Sequence, residues 1–194
     1  MNPQNTQGDE LSGLRVLAHP LRLRMLSLLT GAAFSAMELS RELGISQALA
    51  SYHLRQLHSA GVIELAEVRS RRGGQERRFV YRPAAPGLPG RTPPAADGPP
   101  AADGPPAADG LALFAEAVCV ELRRRSQEAE AGAERLGVDA ELWVDPAAWA
   151  AAVDAVRAAS IGLHRQAQPP RAAGTMRVSV STVMFPMTAS TTSP

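Results

Sequence analysis

The hexapeptide Pro-Pro-Ala-Ala-Asp-Gly occurs three times in succession between residues 93 and 110. Pro and Gly interrupt both helix and sheet, and Ala and Asp supply no core. Residues 83–110 therefore read as a semi-extended linker. The 194-residue chain divides around it into unequal parts, 9–82 and 111–187, followed by a polar tail at 188–194 that is expected to be disordered. The parts differ in charge. Residues 1–82 hold 11 Arg against 7 acids, and residues 83–194 hold 9 Arg against 12 acids. A basic front and an acidic back point to an anionic partner for the front.

The front reads as a run of short helices. Leu11, Leu14 and Leu17 or Ala18 recur at helical spacing. Pro20 suits the first position of a second helix, because proline there loses no hydrogen bond. Leu21, Met25, Leu28 and Leu29 form the apolar face of that helix, and Gly31 ends it. Ser35 and Glu38 have the spacing of a capping box, which opens a helix with Ala36, Leu39 and Leu43 inward. Gly44 stops it, Ile45 plugs the turn, and Ser46 caps the next helix, which is closed by Gly61. Two helices joined by a short Gly-containing turn make a helix-turn-helix pattern.

In the second of these helices Ala50, His53, Leu54 and Leu57 follow the i, i+3, i+4, i+7 rule and face inward. Gln47, Ala48, Ser51, Tyr52 and Arg55 then face outward. Gln, Ser, Tyr and Arg can bond base edges or phosphates, and the Ser46 end of the helix favours an anion. Whether Tyr52 reads DNA or packs is open at this stage. Val62–Val68 alternates in part, Arg69–Arg77 is expected to turn around Gly73-Gly74, and Arg78–Arg82 returns. Such a hairpin directly after a helix-turn-helix is a wing. Its arginines, Arg69, Arg71, Arg72, Arg77 and Arg78, crowd ten positions beside one acid, Glu76, and are expected to contact phosphate.

Leu17-Ala-His-Pro-Leu-Arg-Leu-Arg-Met-Leu26, Glu38-Leu-Ser-Arg-Glu-Leu-Gly44 and the run from Ser46 to Gly61 together resemble the ArsR-type winged helix-turn-helix family. The family pattern Ser-Gln-x-x-x-Ser-x-His-Leu, ending in Leu-x-x-Ala-Gly, is matched at Ser46, Gln47, Ser51, His53, Leu54, Leu57, Ala60 and Gly61. The resemblance covers residues 11–82. It implies a dimeric transcription regulator that binds operator DNA, usually as a repressor. Base contacts would come from the Gln47–Arg55 face, and backbone or minor-groove contacts from the wing. The homodimer would be built from residues 11–18 and 111–122. Metal-sensing relatives carry a cysteine pair before the recognition helix, or Asp, His and Glu on a C-terminal helix. Residues 38–43 hold no cysteine and residues 111–136 no histidine, so metal sensing is not carried over.

Behind the linker, Leu111, Phe114, Val118 and Leu122 form a helical stripe, with the helix expected to reach about residue 136. Residues 140–144 read as a short strand. Asp145-Pro146 starts a helix whose face is Trp149, Val153, Val156, Ser160 and Leu163, and 176–185 alternates as a second strand. The segment resembles, loosely, the appended regions of actinobacterial ArsR-type regulators. Its expected role is dimerisation or sensing. Arg123–Arg125 read as a solvated face, Cys119 as a small packed residue, and His19 and His53 as structural or phosphate-contacting rather than metal ligands.

A single cysteine excludes an intrachain disulfide and a multi-cysteine zinc site. The polar start has no signal-peptide pattern, and no apolar run reaches the roughly 18 residues of a membrane span. A cytoplasmic protein without a membrane partner is expected. No Gly-rich phosphate loop, nucleophile elbow or metal-hydrolase motif occurs, so neither enzymatic activity nor a cofactor or metal is expected. The expected fold is α+β: a winged helix-turn-helix, mainly α with a β-hairpin wing, plus a small α+β segment. The expected function is a sequence-specific regulator of double-stranded DNA, a dimeric repressor released by a non-metal signal. Two alternatives stand beside it: a winged helix used for protein–protein contact, and a small-molecule sensor with its effector near Trp143 and Trp149.

Overall fold

Pro20 begins the first long helix, α1 (Pro20–Gly31), and His19 caps it: the ring Nδ1 accepts from the Leu21 amide at 3.1 Å. The computed structural model describes residues 14–71, 74–82 and 107–188. The helical turn at 14–17 buries Leu14 and Leu17, as their spacing predicts. Along α1 the buried residues are Met25, Leu26 and Leu29, with Leu21 and Leu28 half-buried at the margins. The inner face is thus centred on Leu29 and turned toward Leu26 relative to the expected stripe.

A two-residue strand that the sequence did not announce, β1 (Phe34–Ser35), leads into α2 (Ala36–Leu43). Ser35 serves both. Its Oγ accepts from the Glu38 amide at 3.3 Å, while Glu38 Oε2 accepts from the Ser35 amide at 2.8 Å. The expected capping box is therefore formed. Gly44 ends α2 with φ at 65°, a left-handed conformation that costs glycine little. Ser46 then caps α3 (Gln47–Ser59), its Oγ accepting from the Leu49 amide at 3.2 Å. The buried residues of α3 are Ala50, His53, Leu54 and Leu57, the four its periodicity selects. Packing against α2 completes the helix-turn-helix.

The hairpin departs from expectation in its bounds. Val62 and Ile63 are buried plugs, and strand begins after them: β2 (Glu64–Arg71) pairs antiparallel with β3 (Gly74–Val80). Pairing runs out to Arg71↔Gly74 through Arg69↔Glu76, so most of the expected 69–77 turn is ladder. Backbone hydrogen bonds sustain a ladder without apolar side chains, which is why a polar, Arg-rich stretch extends as strand. A bulge interrupts the register between Leu65 and Glu67. The sheet is ordered β1-β3-β2. Helices with this small antiparallel sheet make the α+β winged helix-turn-helix architecture.

Beyond the linker, α4 (Ala107–Ser126) packs on α1 and adds Phe114 to the core. It starts inside the expected linker at 83–110 and ends ten residues before position 136. Residues 83–106 and 189–194 lie outside the described residues, and with them nearly all of the linker and tail assignments. The buried face of α4 is Phe114, Ala117 and Glu121. Leu122, expected inside, is 49% exposed, and Cys119, expected to be packed, is exposed. At about 100° per residue, 114, 117 and 121 share one side, whereas 122 turns past it. Asp145 opens α5 (Pro146–Arg165) as expected, its Oδ1 accepting from the Ala147 and Ala148 amides, both at 2.9 Å.

The two strands expected at 140–144 and 176–185 do not form. Alternation marks the faces a strand would have, but a ladder needs a neighbouring edge to pair with. The segment is instead fastened by a few contacts. Arg171 Nη2 donates to Glu42 Oε2 of the front at 2.7 Å, and Arg177 Nη1 donates to Glu128 Oε2, just beyond α4, at 2.6 Å. The Gln168 carbonyl crosses so near Gly31 that a Cβ there would lie 2.2 Å from its oxygen. Among the described residues, no helix is long and apolar enough to cross a membrane.

Candidate nucleic-acid interface

Two surfaces carry the side chains that sequence reasoning selected. The first is the outer side of α3. Gln47, Ala48, Tyr52 and Arg55 are exposed, and Ser51 is half-buried at its edge. Ser46 is exposed at the helix start; its oxygen accepts the capping bond, which leaves the hydroxyl proton free to donate. No acidic residue occurs anywhere in α3. The structure adds Leu49, an apolar side chain 41% exposed on the same helix. Such a group suits a thymine methyl. Its sequence signal was weak, because a leucine in an amphipathic helix is read as core.

The second surface is the wing. Arg69 Nε is bonded to Glu67 Oε1 at 2.7 Å, which raises the affinity of Arg69 for its proton and lowers that of Glu67. Arg77 is exposed and lies over the Phe79 ring, 5.9 Å from its centre. The side chains of Arg71 and Arg72 lie outside the described residues, but the backbone pairing of Arg71 with Gly74 places it at the hairpin tip. Arg78 differs from the other wing arginines. Its guanidinium is largely buried, donates to Glu38 Oε1 at 2.8 Å and also to the Ala33 carbonyl. It anchors the root of the wing, and the expected phosphate role is not carried to it.

Between α1 and α3 lies a third cluster. His19 and His53 approach with ring centres 4.7 Å apart, and Tyr52 meets His53 edge-on at 5.1 Å. His53 is 4% exposed, and its Nδ1 has no hydrogen-bond partner. Burial, then the neighbouring charge of Arg22, holds His19 below the usual imidazole range. His53 is lowered by burial first, then by His19 and Arg22. Both rings are therefore neutral near pH 7. Arg22 is half-buried beside them and its Nε is also unpartnered.

The C-terminal part offers less. Trp143 is 84% exposed, so the two tryptophans do not enclose an effector site. A cavity of about 210 Å³ lies instead where α1 meets α4 and α5, lined by Leu26, Tyr81, Phe114 and His164 among others. Arg124 and Arg125, expected on a solvated face, converge on the buried Glu121 carboxylate at 2.9 and 3.5 Å. Among the described residues, no group of three or more His, Cys, Asp or Glu side chains gathers as a metal site.

Comparison with known proteins bears on the same part of the chain. No curated protein matches it. Residues 17–66 match the family model of a helix-turn-helix domain. Those residues span α1, β1, α2, α3 and the start of β2, and over them the chain carries a helix-turn-helix domain, which supports DNA-binding transcription regulation.

Proposed function

We propose that this chain is an ArsR-type transcription regulator that binds a specific double-stranded operator as a homodimer, represses from it, and is released by a signal other than a metal ion. One observation carries the reading. The inner face of α3 is fully packed, while its outer face presents Gln47, Ser51, Tyr52 and Arg55 without an acid. A solvated helix serving no partner has no need of that selection, whereas a major groove matches it. The winged unit at 9–82 would hold DNA, with the 83–110 linker joining it to a dimerisation or sensing segment at 111–187. Dimerisation is supported by α4, where Leu113 and Val120 on one flank of the buried face and Leu122 on the other are exposed. A small effector fits the cavity between α1, α4 and α5 better than it fits Trp143. The reading carries with it a cytoplasmic location and no enzymatic activity.

Selection of binding sites from a pool of random duplexes tests this directly. Enrichment of a two-fold symmetric site, with half-sites about one helical turn apart, is the expected result. Addition of zinc, cadmium or arsenite should leave the complex intact. A pool that shows no enrichment overturns the reading and favours a winged helix that binds protein.

A further inference from the structure

Arg22 is a cation without an anion. Its Nε is shielded and unpartnered, and no ion pair involves it among the described residues. The groups facing it from α1 and α3 are His19, His53 and Tyr52, none of them a carboxylate. A long basic side chain usually lays its stem on apolar surface and keeps its head in water. Here the head itself is partly taken out of water, and burial makes its charge harder to keep. Removing a guanidinium from water without a counter-charge is unfavourable, and an anion arriving from outside offsets that cost.

The position of this cation identifies the anion. Within electrostatic reach of Arg22 is Tyr52, half exposed on the outer side of α3. A duplex seated against that side runs its phosphates along the flanks of the helix. We propose that Arg22 and the Tyr52 hydroxyl together clamp one backbone phosphate of the bound duplex, so that α1 holds DNA alongside α3 and the wing. The inference rests on the DNA-binding reading above and extends it to a residue outside α3 and the wing. His19 and His53 act as positioning residues. His19 caps α1 three residues before Arg22, and His53 backs the Tyr52 ring. Guanidinium suits the task because its planar fork can meet two phosphate oxygens at once.

The test is a salt series on the full chain with a selected duplex and an unselected one. Neutralising one phosphate contact flattens the log–log salt dependence by about 0.9 per protomer. Arg22→Gln should show that flattening and lose roughly tenfold in affinity on both duplexes alike. Arg22→Lys, which keeps the charge, should retain the wild-type slope. A wild-type slope in Arg22→Gln, while the wild type itself binds DNA, overturns the clamp and leaves the wider reading standing. Failure of the wild type to bind any duplex overturns both. Should Arg22→Gln fail to fold, nitrogen-15 spectra of the wild type decide the matter. The Arg22 Nε–H signal should shift on addition of duplex, and an unmoved signal overturns the clamp.

Discussion

Glu38 and Arg78, forty positions apart, are joined at 2.8 Å, and the same carboxylate closes the N-terminus of α2 through the Ser35 amide, also at 2.8 Å. One side chain thus performs two tasks: Oε2 completes the capping box, and Oε1 holds the guanidinium at the root of the wing. Arg78 returns the favour by donating to the Ala33 carbonyl just before β1. The angle between wing and helix-turn-helix depends on this junction, and so does simultaneous contact of both with one duplex.

Glu38→Ala should therefore destabilise the fold by about 1.5–3 kcal/mol, the range for a hydrogen-bonded charge. Arg78→Ala should cost a similar amount. Because the two share one interaction, the double variant should lose less than the two single losses added, by more than about 0.5 kcal/mol. Urea denaturation of the four proteins measures this. Strict additivity would mean the two side chains stabilise the fold independently.

Gln47→Ala and Arg55→Ala address sequence reading on α3. A well-made base contact is worth about 1–3 kcal/mol of discrimination. Each replacement should weaken the selected site more than an unselected duplex, without altering thermal stability, since both side chains are exposed. Gel-shift competition between the two duplexes is the readout. Unchanged preference in both variants would turn the recognition face elsewhere.

At the wing, the double replacement of Arg71 and Arg72 by Ala should lower affinity for both duplexes by similar factors. It should also flatten the salt dependence by about 1–2 per protomer. Insertion into the minor groove instead predicts selective loss on A·T-rich flanks, where the groove is narrow. Two duplexes differing only in those flanks, titrated across a salt series, separate the outcomes. An unchanged slope on both would leave the wing arginines solvated.

Acidification acts through His53. Its folded-state affinity for a proton is lowered, chiefly by burial. Below the ordinary imidazole value of about 6.5 the unfolded chain binds a proton that the folded chain refuses. Stability is therefore full above that value and falls as the pH drops through it. His19, lowered in the same direction, adds to the effect. Replacing His53 by Leu should flatten the dependence between about pH 5 and 7, whatever it does to stability at pH 7. Thermal melts across that range test the point, and an unchanged profile would mean that folding leaves the proton affinity of His53 unaltered.

The elements of the helix-turn-helix are legible in the sequence because their causes are local. Proline at a helix start, the Ser35 and Glu38 spacing, a left-handed glycine and a 3.6-residue apolar period all act within a few residues. The outward set on α3 follows from the same period. Everything the local code leaves open was decided by pairing and burial. β1 exists because β3 offers it an edge, and the strand expected at 176–185 is absent because it has no ladder partner. Glu121 lies inside because two arginines meet it there. Arg78 is indistinguishable from its neighbours in the sequence, yet Glu38 and the Ala33 carbonyl draw it out of the charged tip and into the frame. Likewise, nothing in the spacing of Arg22 told that it would be half-buried beside two imidazoles without a carboxylate. Periodicity reports which side of an element is apolar. Which charges meet, and which are left without a partner, is determined only when distant segments of the chain close on one another.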